Sequence, residues 1–363
     1  MSCLCFAKNA SFTFYFFYID NICSLCSLCS HITVPSPYSQ DCYGHHTNNT
    51  SAFFAVYDGH GPHGEHCSHF VRGKLPALLK SNIQKHAPQS SPLSTKDIHA
   101  SLHEAHVACN DELRQHADIN DHHSGTTSVG VFVHNGRITI SNVGDSRIVL
   151  GTQANNNNAH AVQAVPLSKD HTPYREDEAE RCVASGARIL SFGEIDPSTK
   201  EDGDSEVEDP PRVWSKHGNY PGTAFTRSIG DAIAEQLGVY AEPELLTLPI
   251  SPNERLLVLA SDGVFDVVSN QDVVNICFLH RNDPAKACGA ILDKSHEEWL
   301  LNDDCEENEA NYDDMTCVVV YFDHPEHEGI DSSRPPPQAQ QKARRQGKRV
   351  RQKTLENLDE MGK

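Results

Sequence analysis

A chain of 363 residues is long enough for one large domain with appendages or for two ordinary ones, and 38% apolar content supports a sizeable core. Its 50 acids against 30 Lys and Arg give a formal charge of −20, which argues against a basic, nucleic-acid-binding core. The surplus of acid suits a protein that collects cations, and equally one that keeps a negative surface for solubility. Thirteen cysteines, an odd number without a regular framework, read as a reduced, intracellular chain.

The first 34 residues differ from the rest. Residues 12–19 are aromatic and apolar, but Asp20 interrupts them well short of the ~20 residues a membrane-spanning helix needs. Cys23, Cys26 and Cys29 have a metal-like spacing without a fourth ligand of matching context. The segment is taken as an atypical Cys- and aromatic-rich leader, disordered or wrongly assigned. Residues 45–51 read as a polar loop before an apolar strand at 52–57, which ends in Asp58-Gly59-His60-Gly61. Beyond Gly64 a helix is predicted, with Cys67, Phe70, Val71, Leu75, Leu78 and Leu79 on one face and a kink at Pro76. Ser94 and Asp97 form a capping box for a second helix, along which Ile98, Leu102, Ala105, Cys109 and Leu113 recur at helical period.

From Ser124 the pattern changes to strands. Residues 128–133 and 137–143 flank His134-Asn135-Gly136, a strong hairpin signal. Gly144-Asp145-Ser146 turns the chain again before a strand at 147–150. Thr172-Pro173 is predicted to open a helix that Gly186 closes. Residues 195–211 form an acidic insertion with no apolar period, expected to be a mobile surface loop. A strand at 256–260 ends at Ser261-Asp262-Gly263. Ser269 and Asp272 cap a helix, Asp283-Pro284 opens another, and residues 316–322 make the last strand. Beyond Pro325 the chain becomes Pro-, Gln- and Arg-rich, with a basic run from Lys342 to Lys353 that serves either as a nuclear-localisation or polyanion-contact signal or as a solubilising tail. The predicted division is a leader at 1–34, one globular domain at 35–324 and a disordered basic tail at 325–363.

Three apolar runs carry an aspartate at an end: Asp58 after the first, Asp262 after the second, Asp313 before the third. If the third runs antiparallel to the others, all three carboxylates reach one edge, where Asp145 and Asp266 could join them. Acids gathered in this way repel one another unless a cation neutralises them, and oxygen-only ligands suit Mg²⁺ or Mn²⁺ rather than Zn²⁺. For any one of these acids alone, a turn or capping role is the simpler account.

The motifs Asp58-Gly59-His60-Gly61, Ser124-Gly125-Thr126-Thr127, Asn142-Val143-Gly144-Asp145-Ser146-Arg147, Ser168-Lys169-Asp170-His171-Thr172-Pro173, Ser228-Ile229-Gly230-Asp231, Ala260-Ser261-Asp262-Gly263 and Asp313-Asp314-Met315-Thr316 come in the order of the metal-dependent protein phosphatase 2C (PPM) family, which the chain resembles from about Gln40 to Phe322. The resemblance implies an α+β fold, a central antiparallel β-sandwich flanked by helices, with the first strand missing or replaced by the leader. It implies a phosphoserine/phosphothreonine hydrolase acting on phosphorylated proteins, holding two Mg²⁺ or Mn²⁺ ions with room for a third. Asp58 would bind both metals, the Gly59 carbonyl one of them, and Asp262 and Asp313 the other. Asp41 would bind through water or act from behind the direct ligands, and Asp145 and Asp266 would serve the third. Two such cations activate a water for in-line attack on phosphorus, and His60 is the candidate donor of a proton to the leaving alkoxide. Residues 181–223 correspond to the family's flap. The family's phosphate-gripping arginine has no counterpart in Pro35-Ser36-Pro37-Tyr38-Ser39, so an inactive, scaffold-like member is the competing expectation. A monomer without a membrane span, in the cytoplasm or nucleus, completes the expectation.

Overall fold

Alternating side chains along the apolar strands face two different cores, and this sorts them into two stacked antiparallel sheets. The computed structural model describes residues 39–47, 50–88, 92–153, 161–196, 209–302 and 312–322, with the backbone of short strands at Leu4–Ala7, Ala10–Thr13, Phe17–Tyr18 and Cys26–Thr33. The chain divides into two units, Met1–Glu328 and Gly329–Lys363, and every described residue belongs to the first.

One sheet has the order Glu244–Pro249, Arg137–Val143, Ser128–His134, Ser51–Tyr57 and Cys42–Thr47. The other has Val162–Pro166, Arg147–Gln153, Glu254–Ala260, Thr316–Phe322, Cys26–Thr33 and Phe17–Tyr18. Between them lies a core of Phe54, Val56, Val131, Ile140, Ile148, Leu257, Leu259, Val318 and Val320. On the same strands Phe53, Ala55, Tyr57 and Phe132 point outward, where helices Gly64–His86 and Thr95–Arg114 cover them. Val149, Leu256, Val258 and Val319 likewise pack under helices Asn270–Leu279 and Pro284–Asn302. Because both faces of each sheet are covered, the central strands read as continuous apolar runs rather than as alternating ones. This is the α+β, helix-flanked sandwich that the sequence suggests.

The capping box at Ser94 and Asp97 forms, and the hairpin turns through Asn135 (φ 49°) and Gly136 (φ 68°), as Asn-Gly predicts. Pro76 lies within an unbroken helical span. Other expectations need correction. The polar stretch after Asp41 is a strand, Cys42–Thr47, held in register by Ser51–Tyr57. The helix expected at Pro173 begins three residues later, at Glu176, because residues 172–175 form a turn in which the Arg175 N–H donates to the Thr172 carbonyl. Sequence reading also missed the strand Glu244–Pro249 and a small sheet of Ala187–Leu190, Arg212–Ser215 and Pro221–Thr223, the flap. Most of the acidic insertion, 197–208, lies outside the described residues, as does the tail beyond Phe322. The backbone strand Cys26–Thr33 runs antiparallel beside Thr316–Phe322, so of the two expectations for the first strand, missing or replaced by the leader, the pairing fits replacement. Among the described residues no helix is long and apolar enough to cross a membrane.

Candidate functional site

At one end of the sandwich the strand ends and loops enclose a cleft of about 400 Å³. Its floor carries Asp58, Asp145, Asp262, Asp313 and Asp314, with His60 and Asp231 to one side and the flap residues Arg212 and Pro221 to Phe225 on the other. The acids do not come from one sheet edge, as strand polarity alone suggested. Asp58 follows a strand of the five-stranded sheet, whereas Asp262 and Asp313 flank two strands of the six-stranded sheet, Glu254–Ala260 and Thr316–Phe322, which do pair antiparallel. The closure of the sandwich, not pairing within a sheet, brings them together.

Local contacts explain how each acid is held. The Asp58 N–H donates to Thr127 Oγ1 at 3.0 Å, and the Thr127 N–H returns a bond to the Asp58 carbonyl at 2.8 Å. Gly59 is squeezed between carbonyls: a Cβ there would lie 2.5 Å from the backbone oxygens of both Gln40 and Gly64. Only glycine permits this approach. Ser261 ties the Asp262 turn to the Asp313 segment, since the Ser261 N–H donates to the Thr316 carbonyl and the Thr316 N–H to Ser261 Oγ. The Gln40 N–H donates to Asp314 Oδ2 at 2.7 Å, which draws the Asp41 segment against the same loop.

The electrostatics of the cluster are unfavourable as it stands. Burial first, then the neighbouring Asp41, Asp262 and Asp313, push the Asp58 carboxyl well above the usual range. Asp262 is raised in the same way by burial and by Asp145, Asp313 and Asp266. Burial carries Asp41 and Asp145 each to about 7, and it raises Asp313 as well, helped by the Asp314 charge. Asp58 faces Asp41 and Asp262 carboxyl to carboxyl. With all of them ionised, none has a proton to offer the others. Both oxygens of Asp41 and Oδ1 of Asp262 are buried and, among the described residues, receive no hydrogen bond. Among the described residues no three His, Cys, Asp or Glu side chains close up as a ready-made cage for a metal ion. The donorless oxygens, the oxygen-only ligand chemistry and the close backbone at Gly59 nevertheless fit a hard divalent cation, which supplies the positive charge they lack.

The structure thus brings Asp58, Gly59, His60, Asp145, Asp262 and Asp313 to one cleft. Asp41, only 4% exposed, stands behind it. Asp266 is near enough to Asp145 and Asp262 to raise both but does not line the cleft. Sequence reading gave no role to Asp231, whose Oδ2 lies 2.6 Å from His60 Nε2. Burial alone would pull the imidazole pKa down, but the Asp231 carboxylate outweighs it and the net direction is upward. Three two-residue strands arrange this contact, Gly59–His60 beside Gly125–Thr126 beside Ile229–Gly230. A Cβ on Gly125 would meet Asp231 Oδ2 at 2.2 Å, so this glycine clears the path between acid and imidazole. The Ser228-Ile229-Gly230-Asp231 motif was the available signal. It ends on an acid but does not say which side chain that acid meets.

A family model described as protein phosphatase 2C matches residues 25–298, a span that stops before Asp313. The "Probable protein phosphatase 2C 35" of Arabidopsis thaliana is 39% identical over 296 residues, 79% of this chain and 79% of that protein. The "Probable protein phosphatase 2C 1" of the same plant is 30% identical over 75% of this chain and 59% of its own length. Among solved structures, a serine-threonine phosphatase 2C from Toxoplasma gondii superposes with a TM-score of 0.63 at 17% identity, covering 89% of this chain and 99% of that one, a likeness of fold.

Proposed function

The chain belongs to the protein phosphatase 2C family and is a protein serine/threonine phosphatase, and we propose that it works through the acid-lined cleft, with Asp41, Asp58, the Gly59 carbonyl, Asp262 and Asp313 holding two Mg²⁺ or Mn²⁺ ions and Asp145 and Asp266 serving a third. The observation that carries this reading is the set of buried carboxylate oxygens on Asp41 and Asp262 that receive no hydrogen bond among the described residues. When bound, divalent cations offset the charge of the phosphoryl oxygens and lower the pKa of water for attack on phosphorus.

The chain's own residues do the rest. Asp231 accepts the Nε2 proton of His60 and favours the charged imidazole, which leaves the Nδ1 proton for delivery to the departing serine or threonine oxygen. Phe225 of the flap packs on the same ring, with centroids 4.3 Å apart, and fixes its tilt. The inactive-scaffold alternative predicts lost metal acids, yet Asp58, Asp262 and Asp313 are all in place. Its support is the absence of a basic residue at 35–39.

The purified full-length protein should release phosphate from a phosphothreonine peptide with Mn²⁺ or Mg²⁺ and lose this activity in EDTA. Asp58→Asn should lower turnover by at least ~10³-fold and weaken Mn²⁺ binding in calorimetry. An EDTA-insensitive activity, or an Asp58→Asn variant with near-wild-type turnover, would overturn the metal assignment.

A further inference from the structure

Metal-ligating acids are only as well placed as the backbone that carries them, and partners behind the ligands commonly do the placing. Asp262 opens a one-turn helix, Asp262–Phe265, and Asp313 precedes the strand Thr316–Phe322. Between these segments lies Gly263, where a Cβ would meet the Asp314 carbonyl oxygen at 2.1 Å and the Asp313 Cβ at 3.3 Å. The glycine thus lets the two acid-bearing segments press directly on each other. A spacing set by bare backbone contact needs support from outside.

Helix Pro284–Asn302 supplies it. Its buried residues Ala287, Cys288, Ile291 and Leu292 fix it in the core cluster that also takes Val264 and Phe265 of the Asp262 turn. Near its C-terminal end the Trp299 Nε1–H donates to the Gly263 carbonyl at 2.8 Å. The Asp266 N–H closes on the Asp262 carbonyl and the Val268 N–H on the Val264 carbonyl, so the indole serves the carbonyl between them. Three residues earlier, on the same helix face, the His296 ring stands edge-on to Tyr312, with centroids 5.2 Å apart and planes at 82°. Tyr312 is the residue before Asp313. One face of one helix therefore grips the neighbour of each acid, Gly263 beside Asp262 and Tyr312 beside Asp313. Neither Trp299 nor His296 lines the cleft.

We propose that Trp299 and His296 are positioning residues that set the spacing of Asp262 and Asp313 for a divalent cation, a role that rests on the metal reading above. Trp299 acts through the Gly263 carbonyl and His296 through Tyr312. A Gly263 carbonyl released from the indole lets the Asp262 turn relax away from the Asp313 segment. Repulsion between the carboxylates favours that relaxation.

The test compares Trp299→Phe, His296→Leu and Trp214→Phe in the full-length protein. Trp299→Phe keeps an aromatic ring and removes the N–H donor. Trp214→Phe is the control, because that indole donates to the Leu190 carbonyl in the flap. The readouts are Mn²⁺ binding by calorimetry, Tm in EDTA, and turnover of a phosphothreonine peptide at limiting and saturating Mn²⁺. Trp299→Phe should weaken Mn²⁺ binding by ~10-fold or more and raise the Mn²⁺ needed for half-maximal turnover by the same factor. At saturating Mn²⁺ its kcat should return to within about 3-fold of the wild type. His296→Leu should weaken Mn²⁺ binding by about 3-fold, and Trp214→Phe should leave it unchanged. A residue that only fills the core would lower Tm in EDTA without moving Mn²⁺ affinity. That outcome in Trp299→Phe, or an equal loss of affinity in Trp214→Phe, would overturn the proposal. If Trp299→Phe does not fold, His296→Leu decides, because unchanged Mn²⁺ affinity there would leave the helix no hold on the site. A wild type that binds no Mn²⁺ would sink the metal reading and this inference with it. A wild type that binds Mn²⁺ no better than Trp299→Phe would sink this inference alone.

Discussion

His60 and Asp231 are 171 positions apart in the chain and 2.6 Å apart in the fold. Asp231 holds a left-handed backbone, φ 53°, uncommon for a residue with a side chain, and is only 3% exposed. That conformation persists because the Asp231 N–H is held by the Ser124 carbonyl and the neighbouring Gly125 leaves room for the carboxylate. If His60 is the general acid, His60→Gln should slow phosphothreonine hydrolysis by ~10²-fold or more while sparing aryl phosphates, whose leaving groups need no proton. Equal losses on both substrates would count against that role. Asp231→Asn keeps the shape and removes the charge that raises the imidazole pKa. The protonated form would then be lost at lower pH, so the alkaline limb of the kcat profile should move to lower pH. An unmoved limb would separate Asp231 from the proton transfer.

At the scale of elements, strong local signals carried through. The capping box, the Asn-Gly hairpin and the apolar faces of the first two helices each depend on neighbours within four residues or on one period. The polar strand Cys42–Thr47 and the flap strands did not announce themselves. Their stability comes from partners distant in sequence, and a half-covered edge strand needs few apolar side chains. The second helix also carries a buried titratable link to the sheet. His106 Nδ1–H donates to the Leu102 carbonyl at 2.8 Å, and Nε2 lies 3.2 Å from Ser128 Oγ, which donates to it. Burial lowers this imidazole to about 4. Because the folded pKa is below the unfolded value near 6.5, the unfolded chain takes up the proton first, and stability falls as pH drops from about 6.5 towards 4. Between pH 7 and pH 5 the wild type should therefore lose about 2 kcal/mol more than His106→Gln in urea unfolding. Parallel pH dependences of the two would show that His106 is not the linked group.

For the whole molecule, the sandwich places the acids where two sheets and a flap meet, and every residue assigned to the site lies in the unit Met1–Glu328. Removing residues 329–363 should leave kcat/KM within about 2-fold. We propose that the basic run Lys342, Arg344, Arg345, Lys348, Arg349, Arg351 and Lys353 directs the protein to the nucleus. A fluorescent fusion lacking the tail should then shift towards the cytoplasm, and an unchanged distribution would remove the tail from that role.

The sequence by itself determined which side chains could bind a cation and which strand ends carry them. Ordered Asp-Gly motifs, capping residues and apolar periods are written in neighbouring residues, so they survive without coordinates. The tertiary structure alone decided that Asp58 meets Asp262 and Asp313 across two sheets and that Asp231 is the partner of His60. Those are contacts between residues far apart in the chain. Their distances follow from how the packed layers close, and no local pattern encodes that closure.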